Sequence, residues 1–444
     1  MSVEKTSDPV EDILPKASID RVLNPVRRLL HIETSAGIIL VIVTFIALLW
    51  SNLDHFSYIA LWSTPVGFSI GPFEMKYSLH WWINDALMTL FFFMVGLEVK
   101  GELVHGELRG IRSASLPLLG ALGGMIFPAL IYLAIAPEEA AKGWGIPMAT
   151  DIAFVVGCMA ILGKRIPKGL QAMLLTLAIA DDIGAILVIA LGYSSNVQLL
   201  YLFYALVLLG FTHLFFRMGI RSIFVHGILG IAIWYAFVRS GIHATLAGVA
   251  LGLLTPAIPS IAREKINRYT AKAGALLAGE NTLNEEKTRE ILRTLKKGSN
   301  ESISMQERFV FNLHPWVNYL IMPLFALANA GVLIELGAFN QNAFAVSAGL
   351  ILGKPIGIFL FCFIAVTLGI SKLPQGVNYR ILFGGGILAG IGFTMSLFIS
   401  ELAFDAGTLM LRSAKIGILL GSFVASILGI SFIFIFTRKK KEVS

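Results

Sequence analysis

Residues 178–186 read Ala178-Ile179-Ala180-Asp181-Asp182-Ile183-Gly184-Ala185-Ile186. Between Lys168 and Arg217 the chain holds no other Lys, Arg, Asp or Glu. On insertion scales a charged residue at the centre of a membrane helix costs roughly 2.5–3.5 kcal/mol. A chain that keeps two such carboxylates uses them, most simply to hold a cation, a proton, or each in turn.

Working outward, the 444 residues are 56% hydrophobic and only 14% charged, with mean hydropathy +0.78. That excludes an ordinary soluble globular domain. Apolar segments of about 20 residues recur, each long enough to span a bilayer. Spanning backbone must satisfy its own hydrogen bonds, and the short alternating strands of a β-barrel are missing, so the spans are helices. The expected fold is an all-α polytopic membrane protein of about 12 transmembrane helices. Their approximate ranges are 30–50, 80–104, 114–136, 144–163, 169–193, 198–216, 221–239, 241–257, 314–335, 344–368, 381–402 and 412–436. One transporter domain then covers 30–436, between a segment 1–29 and a basic tail 437–444. The first twenty residues are polar, so no cleavable signal peptide is expected. Cys158 and Cys362 lie in apolar segments and propose no disulfide framework.

The net charge of +7 signals orientation, and no nucleic-acid partner is expected. Lys and Arg gather in alternate loops: Arg109 and Arg112, Lys164 to Lys168, Arg217 and Arg221, a large cluster in 258–312, and Arg438 to Lys441. Positive-inside logic places both termini in the cytoplasm. Arg412 and Lys415 are the main exceptions. Within the long cytoplasmic loop 258–312, residues 284–297 carry helix start and stop signals from Asn284 to Gly298. Residues 63–79, with Gly71-Pro72 at their centre, read as a small β-hairpin on the outer face or as an irregular loop. The exposed edge of a hairpin would pair with a second subunit. Gly120/Gly124, Gly353/Gly357, Gly386/Gly390 and Gly417/Gly421 mark close helix packing.

The ionisable residues at membrane depth are Asp85, Glu98, Asp151, Asp181, Asp182, His243 and Lys354. Asp181 and Asp182 point about 100° apart on a helix and form one coupled titrating pair. Carboxylate oxygens suit a hard cation such as Na⁺ or Li⁺, and protons compete for the same oxygens. If the site faces one side at a time, that competition is antiport. Pro147 breaks the fourth span just before Thr150 and Asp151. The eleventh, Phe383 to Thr394, is glycine-dense at its centre. One break in each half points to inverted repeats with two discontinuous helices, the fourth and eleventh. Asp151 is expected to neutralise positive half-helix ends. Lys354 bridges to Asp182, balances carbonyl ends, or carries a proton. His243 and His314, each at a helix start, are candidates for pH response or for simple capping.

Together these residues resemble the NhaA-type Na⁺/H⁺ antiporter family, itself one of the examples behind the rule on inverted repeats. The likeness runs from about residue 30 to 436. It rests on Trp82-Ile83-Asn84-Asp85-Ala86, Val95-Gly96-Leu97-Glu98-Val99-Lys100, Ala149-Thr150-Asp151-Ile152-Ala153-Phe154, Asp181-Asp182, Ser240-Gly241-Ile242-His243-Ala244-Thr245, Leu313-His314-Pro315-Trp316, Gly353-Lys354-Pro355 and Gly390-Ile391-Gly392-Phe393-Thr394. The resemblance implies electrogenic exchange of cytoplasmic Na⁺ or Li⁺ for external protons across a bacterial inner membrane, serving pH and sodium homeostasis. The fourth and eleventh spans would cross unwound at mid-membrane. Asp181 and Asp182 would bind the ion, with Asp182 the principal ligand. Thr150, Asp151 and Lys354 would compensate charge and couple. Asp85, Glu98, His243 and His314 would shape the pH response, and the 63–79 hairpin would join a homodimer. No resident cofactor is implied, only transported Na⁺, Li⁺ and H⁺ and a surrounding lipid bilayer. Two departures bear on pH response. Gly101 stands where relatives often carry Arg, and Val310 and Phe311 stand where relatives carry Glu and His.

Three other classes fit less well. An intramembrane aspartyl protease takes its two aspartates from two helices, with a Gly-x-Gly-Asp motif that is missing here. A channel needs an open path, against which Lys354 beside acidic sites argues. A proton-coupled symporter for organic solutes needs a more polar or aromatic cavity lining.

Overall fold

A computed structural model describes residues 34–71, 73–193, 197–259, 301–335 and 339–437, with isolated residues in the intervals. The segment 1–29, nearly all of the expected helix at 284–297 and the tail from Arg438 lie outside the described residues.

The first helix, α1, spans Thr34–Leu53. Asp54 then caps α2 (His55–Ser63) by accepting the Ser57 N–H. Residues 63–79 form a hairpin: β1 (Pro65–Ile70) pairs antiparallel with β2 (Phe73–Ser78), Gly67 opposite Lys76. Ser78 caps a helical turn, Leu79–Trp81. A π-helical stretch, Trp82–Leu87, continues into α3 (Met88–Val104). The next helix, α4 (Ile111–Ile135), runs through Pro117 and Pro128. A 3-10 helix, Glu138–Met148, precedes α5 (Ile152–Leu162). Then follow α6 (Lys168–Gly192), α7 (Leu199–Arg217), α8 (Ile223–Ser240) and the short α9 (Thr245–Leu254). Farther along come α10 (Met305–Trp316), α11 (Met322–Asn329), α12 (Gln341–Ala348) and α13 (Lys354–Thr367). Two π-helical links, Val317–Ile321 and Gly349–Gly353, join these into longer rods. The chain closes with α14 (Tyr379–Ala389), α15 (Phe393–Ala403) and α16 (Leu409–Phe436).

Among the described residues, eight helices are long and apolar enough to cross a membrane, or ten if each of two bent pairs is one span. The bent pairs are Glu138–Met148 with α5, at 49°, and α14 with α15, at 47°. The outer surface is apolar, with Phe45, Phe203, Phe211, Phe224 and Phe423 exposed. Such a surface belongs in lipid.

Glycines set the closest helix contacts, because lipid supplies no hydrophobic drive between helices and backbone proximity must replace it. A Cβ on Gly357 of α13 would lie 2.1 Å from the Gly123 carbonyl oxygen of α4, and the converse distance is also 2.1 Å. Likewise a Cβ on Gly248 of α9 would sit 2.2 Å from the Thr89 carbonyl oxygen of α3. The helices sort into two groups by their packing. One holds α4, α6, α12, α13, α14 and α16; the other joins α3 to α9 and α10, and α1 to α11. The two broken pairs lie against both.

Candidate functional site

The two breaks cross at their backbones. Asp151 N–H, at the first, donates to the Ile391 carbonyl oxygen, at the second, over 2.7 Å. Ser396 Oγ of α15 donates to the Ile146 carbonyl oxygen over 2.7 Å. Thr150 Oγ1 lies 3.1 Å from the Ala389 carbonyl oxygen at the end of α14. Sequence dictates both interruptions: Pro147 has no N–H for a helical bond, and Gly390 and Gly392 let strands of backbone approach. A Cβ on Gly390 would lie 2.4 Å from the Leu350 carbonyl oxygen.

A broken helix exposes unpaired N–H groups on one side and unpaired C=O groups on the other. Each kind meets an opposite charge here. Asp151 Oδ1 accepts the Phe154 N–H of α5 at 3.1 Å, and its Oδ2 accepts the Thr394 N–H of α15 at 3.0 Å. The Thr394 hydroxyl also donates to Oδ2. One carboxylate therefore stands at two helix N-termini, where negative charge is favoured. Lys354 Nζ donates to the Met148 carbonyl oxygen at 2.5 Å, the last of the 3-10 helix, and to Thr150 Oγ1. An ammonium thus stands at the carbonyl end.

The aspartate pair lies on α6 beside this crossing. Asp181 Oδ2 is 2.9 Å from Lys354 Nζ and accepts from Thr150 Oγ1 at 2.7 Å. Lys354 meets a half-helix carbonyl end at Met148, one of the partners expected, but its carboxylate partner is Asp181 in place of the expected Asp182, with which no ion pair forms among the described residues. Asp181, Asp182, Asp151, Thr150 and Lys354 are all at most 2% exposed. Asp181 Oδ1 and Asp182 Oδ1 are buried and hydrogen-bond to no described residue. Such acceptors are rare in a native interior and are met by an ion, a proton or a water. A cavity of about 1120 Å³ reaches Asp182 of the pair and is also lined by Asp151, Thr150, Thr394, Glu98 and His314 among others. Glu102 of α3 and the exposed Glu307 of α10 also line it.

The other sequence candidates divide. Glu98 and His314 line the cavity. Asp85 lies in the π-helical stretch, thirteen residues before Glu98 and so roughly 20 Å away along the helix axis. His243 sits at a helix end, its Nε2 2.9 Å from the Tyr193 carbonyl oxygen that closes α6. Neither lines the cavity. The glycine at 101 has a counterpart: Gln306 fills the space, where a Cβ would meet its Nε2 at 2.9 Å, and donates to the Leu97 carbonyl oxygen at 3.0 Å. Thr394 was not singled out as a site residue; an uncharged side chain gives no signal until its partner is known. Among the described residues, no group of three or more His, Cys, Asp or Glu could hold a metal ion.

Two crossing helix breaks, with buried charges at their ends and an aspartate pair beside a cavity, define an ion-coupled secondary transporter of the multi-pass membrane class. Residues 27–433 match the profile of the family described as Na⁺/H⁺ antiporter 1. The chain belongs to that family. A protein of Rhodopirellula baltica named Na⁺/H⁺ antiporter NhaA is 47% identical over 423 residues, covering 95% of this chain and 96% of the relative. Vibrio vulnificus has a similar protein, named Na⁺/H⁺ antiporter NhaA 2, at 43% identity over 97% of this chain and 96% of its own. One from Rhizobium meliloti, named Na⁺/H⁺ antiporter NhaA, is 43% identical over 97% of this chain and 98% of its own.

Proposed function

We propose that the protein is an electrogenic Na⁺(Li⁺)/H⁺ antiporter that extrudes sodium from the cytoplasm in exchange for external protons. The observation that carries the site assignment is the buried pair of carboxylate oxygens, Asp181 Oδ1 and Asp182 Oδ1, left without hydrogen-bond partners beside a cavity. Oxygen donors suit a hard cation. Asp182 is the principal ligand, since it lines the cavity while Asp181 is already engaged by Lys354 and Thr150. A cation drawing on Asp181 competes with Lys354 for that carboxylate. An ammonium stripped of its buried partner is destabilised, so cation entry favours proton release and proton entry favours cation release. More than one titrating group at one cation site accounts for electrogenic exchange. Thr150, Asp151 and Lys354 hold the charges of the helix ends. Glu98 and His314 are placed to tune access through the cavity, with Asp85 and His243 acting from farther away. No resident cofactor is needed.

The architecture in this reading is twelve spans in inverted repeats. The second includes the π-helical stretch, the eighth is α9 with its flanking turns, and the fourth and eleventh are the two bent pairs. Basic loops put both termini in the cytoplasm of a bacterial inner membrane, which places the cavity mouth inside and the 65–78 hairpin outside. A homodimer through that hairpin completes the assembly.

The test is pH-probe dequenching in everted membrane vesicles on adding Na⁺, Li⁺ or K⁺. Wild type is run beside Asp182→Asn from neutral to alkaline pH. Proton efflux on Na⁺ or Li⁺ that the variant lacks is the expected result. Silence to every cation, with the protein verified in the membrane, would sink the antiport reading. An active Asp182→Asn would sink the site assignment alone.

A further inference from the structure

Outside the cavity lining lies a second polar cluster, with Glu401 and Lys415 largely buried and the His80 side chain 29% exposed. Lys415 Nζ of α16 is 2.6 Å from Glu401 Oε1 of α15, with each side chain only 10% exposed. His80 Nε2, on the turn that opens the second span, is 3.8 Å from Glu401 Oε2. The same His80 nitrogen is 3.0 Å from Asn329 Oδ1 at the end of α11. Asn329 Nδ2 in turn donates to Asn84 Oδ1 at 2.8 Å. A charge pair held this far from solvent loses hydration that its partner must replace, so its position calls for a reason.

Its placement is informative. His80, Asn84 and Asn329 belong to the group that joins α3 to α9 and α10, and α1 to α11. Lys415 belongs to the group of α4, α12, α13 and α14. Glu401 lies on the half-helix α15, whose first turn carries Thr394 and holds Asp151. From Thr394 to Glu401 is two turns, about 10 Å. The cavity lining includes the exposed Glu307 and none of His80, Glu401 and Lys415, which stand toward the other end of the second span.

We propose that Glu401 and Lys415, with His80 set against Glu401, form the gate that closes the ion site from the face opposite the cavity. The chain of contacts from His80 through Glu401 to Lys415 links the two helix groups, and its His80–Glu401 contact must part when the site turns to that face. Lys415 holds Glu401 in place for it. These are positioning residues, since none touches the proposed ion ligands.

The inference rests on the antiport reading, and its test separates the two. Wild type, Glu401→Gln and His80→Gln are purified and reconstituted in proteoliposomes of known orientation. Na⁺/H⁺ exchange is measured with Na⁺ presented to each face in turn. A weakened gate populates the state open to the gated face. Apparent affinity scales with the fraction of protein in the binding-competent state. The apparent KM for Na⁺ should therefore rise at the cavity face and fall at the gated face, by about threefold or more each for Glu401→Gln, and less for His80→Gln. A purely structural residue lowers the maximal rate and leaves that ratio unchanged. If wild type shows no exchange, the antiport reading fails. If wild type exchanges and neither variant shifts the two KM values in opposite directions, the gate is overturned. His80→Gln retains Lys415 and Glu401 and serves where Glu401→Gln does not reach the membrane.

Discussion

Lys354 has no exposed surface, and its three contacts explain how an ammonium is held there. The ammonium bonds the Met148 carbonyl, the Thr150 hydroxyl and the Asp181 carboxylate. Removing one member of a buried ion pair is strongly destabilising because the other charge remains unpaired. Lys354→Met should therefore cost about 3–5 kcal/mol, read as a lower denaturation midpoint of the purified protein. Lys354→Met combined with Asp181→Asn should recover much of that loss, since neither charge is then left alone. If the double variant is no more stable than Lys354→Met, the pair is not the source of the cost. Both variants should also lose exchange. At this scale the sequence was most legible where charge was most isolated. Asp181 and Asp182 stand out because nothing ionisable surrounds them in the chain. The identity of the lysine's partner did not, because adjacent aspartates differ by rotation about a helix, which only packing against α13 decides.

Helices and their breaks were legible to different degrees. Pro147 and the Gly390-Ile391-Gly392 run marked both interruptions, since each removes either a backbone donor or the side chain that keeps backbones apart. The hairpin at 65–78 followed from alternation around Gly71, though composition allowed an irregular loop as well. The glycine spacings located the tight faces of α4 and α13, but the closest approach uses Gly123, one residue from the marked Gly124. A spacing rule gives the stripe, and the rotation of each helix decides which glycine meets its partner. Gly357→Val should consequently be poorly tolerated, because its Cβ would overlap the Gly123 carbonyl oxygen at 2.1 Å. Overpacking typically costs about 1–3 kcal/mol and backbone contacts do not relax as side chains do. The expected readout is loss of the monodisperse peak in gel filtration, whereas Gly210→Val, with nothing within 4 Å of its Cβ, should elute normally. Equal behaviour of the two variants would contradict the packing argument.

For the molecule as a whole, charge along the loops and charge inside the bundle tell one story. Lys415, which breaks the positive-inside pattern when counted as a loop residue, is an internal partner of Glu401 and only 8% exposed. As an internal partner it drops out of the loop count, leaving Arg412 as the main exception to the alternation of basic loops. On the hairpin, Val66 and Phe68 are exposed at 44% and 49%. A two-stranded ribbon has open edges, and edges pair unless covered. An isolated hairpin is at best marginally stable, and this one touches its own chain through a Trp82 Nε1 donor to the Val66 carbonyl at 2.8 Å. Pairing with a second hairpin would give it the further strands it lacks. Replacing residues 66–77 by a short Gly-Ser linker should convert a dimer of the purified protein into a monomer, measured by light scattering across a gel-filtration peak. The ion site on α6, α13 and the two breaks is untouched by that change, so Na⁺/H⁺ exchange in vesicles should persist at a comparable rate. A dimer that survives the replacement would move the interface to another surface, while a monomer without exchange would show that transport itself depends on the second copy.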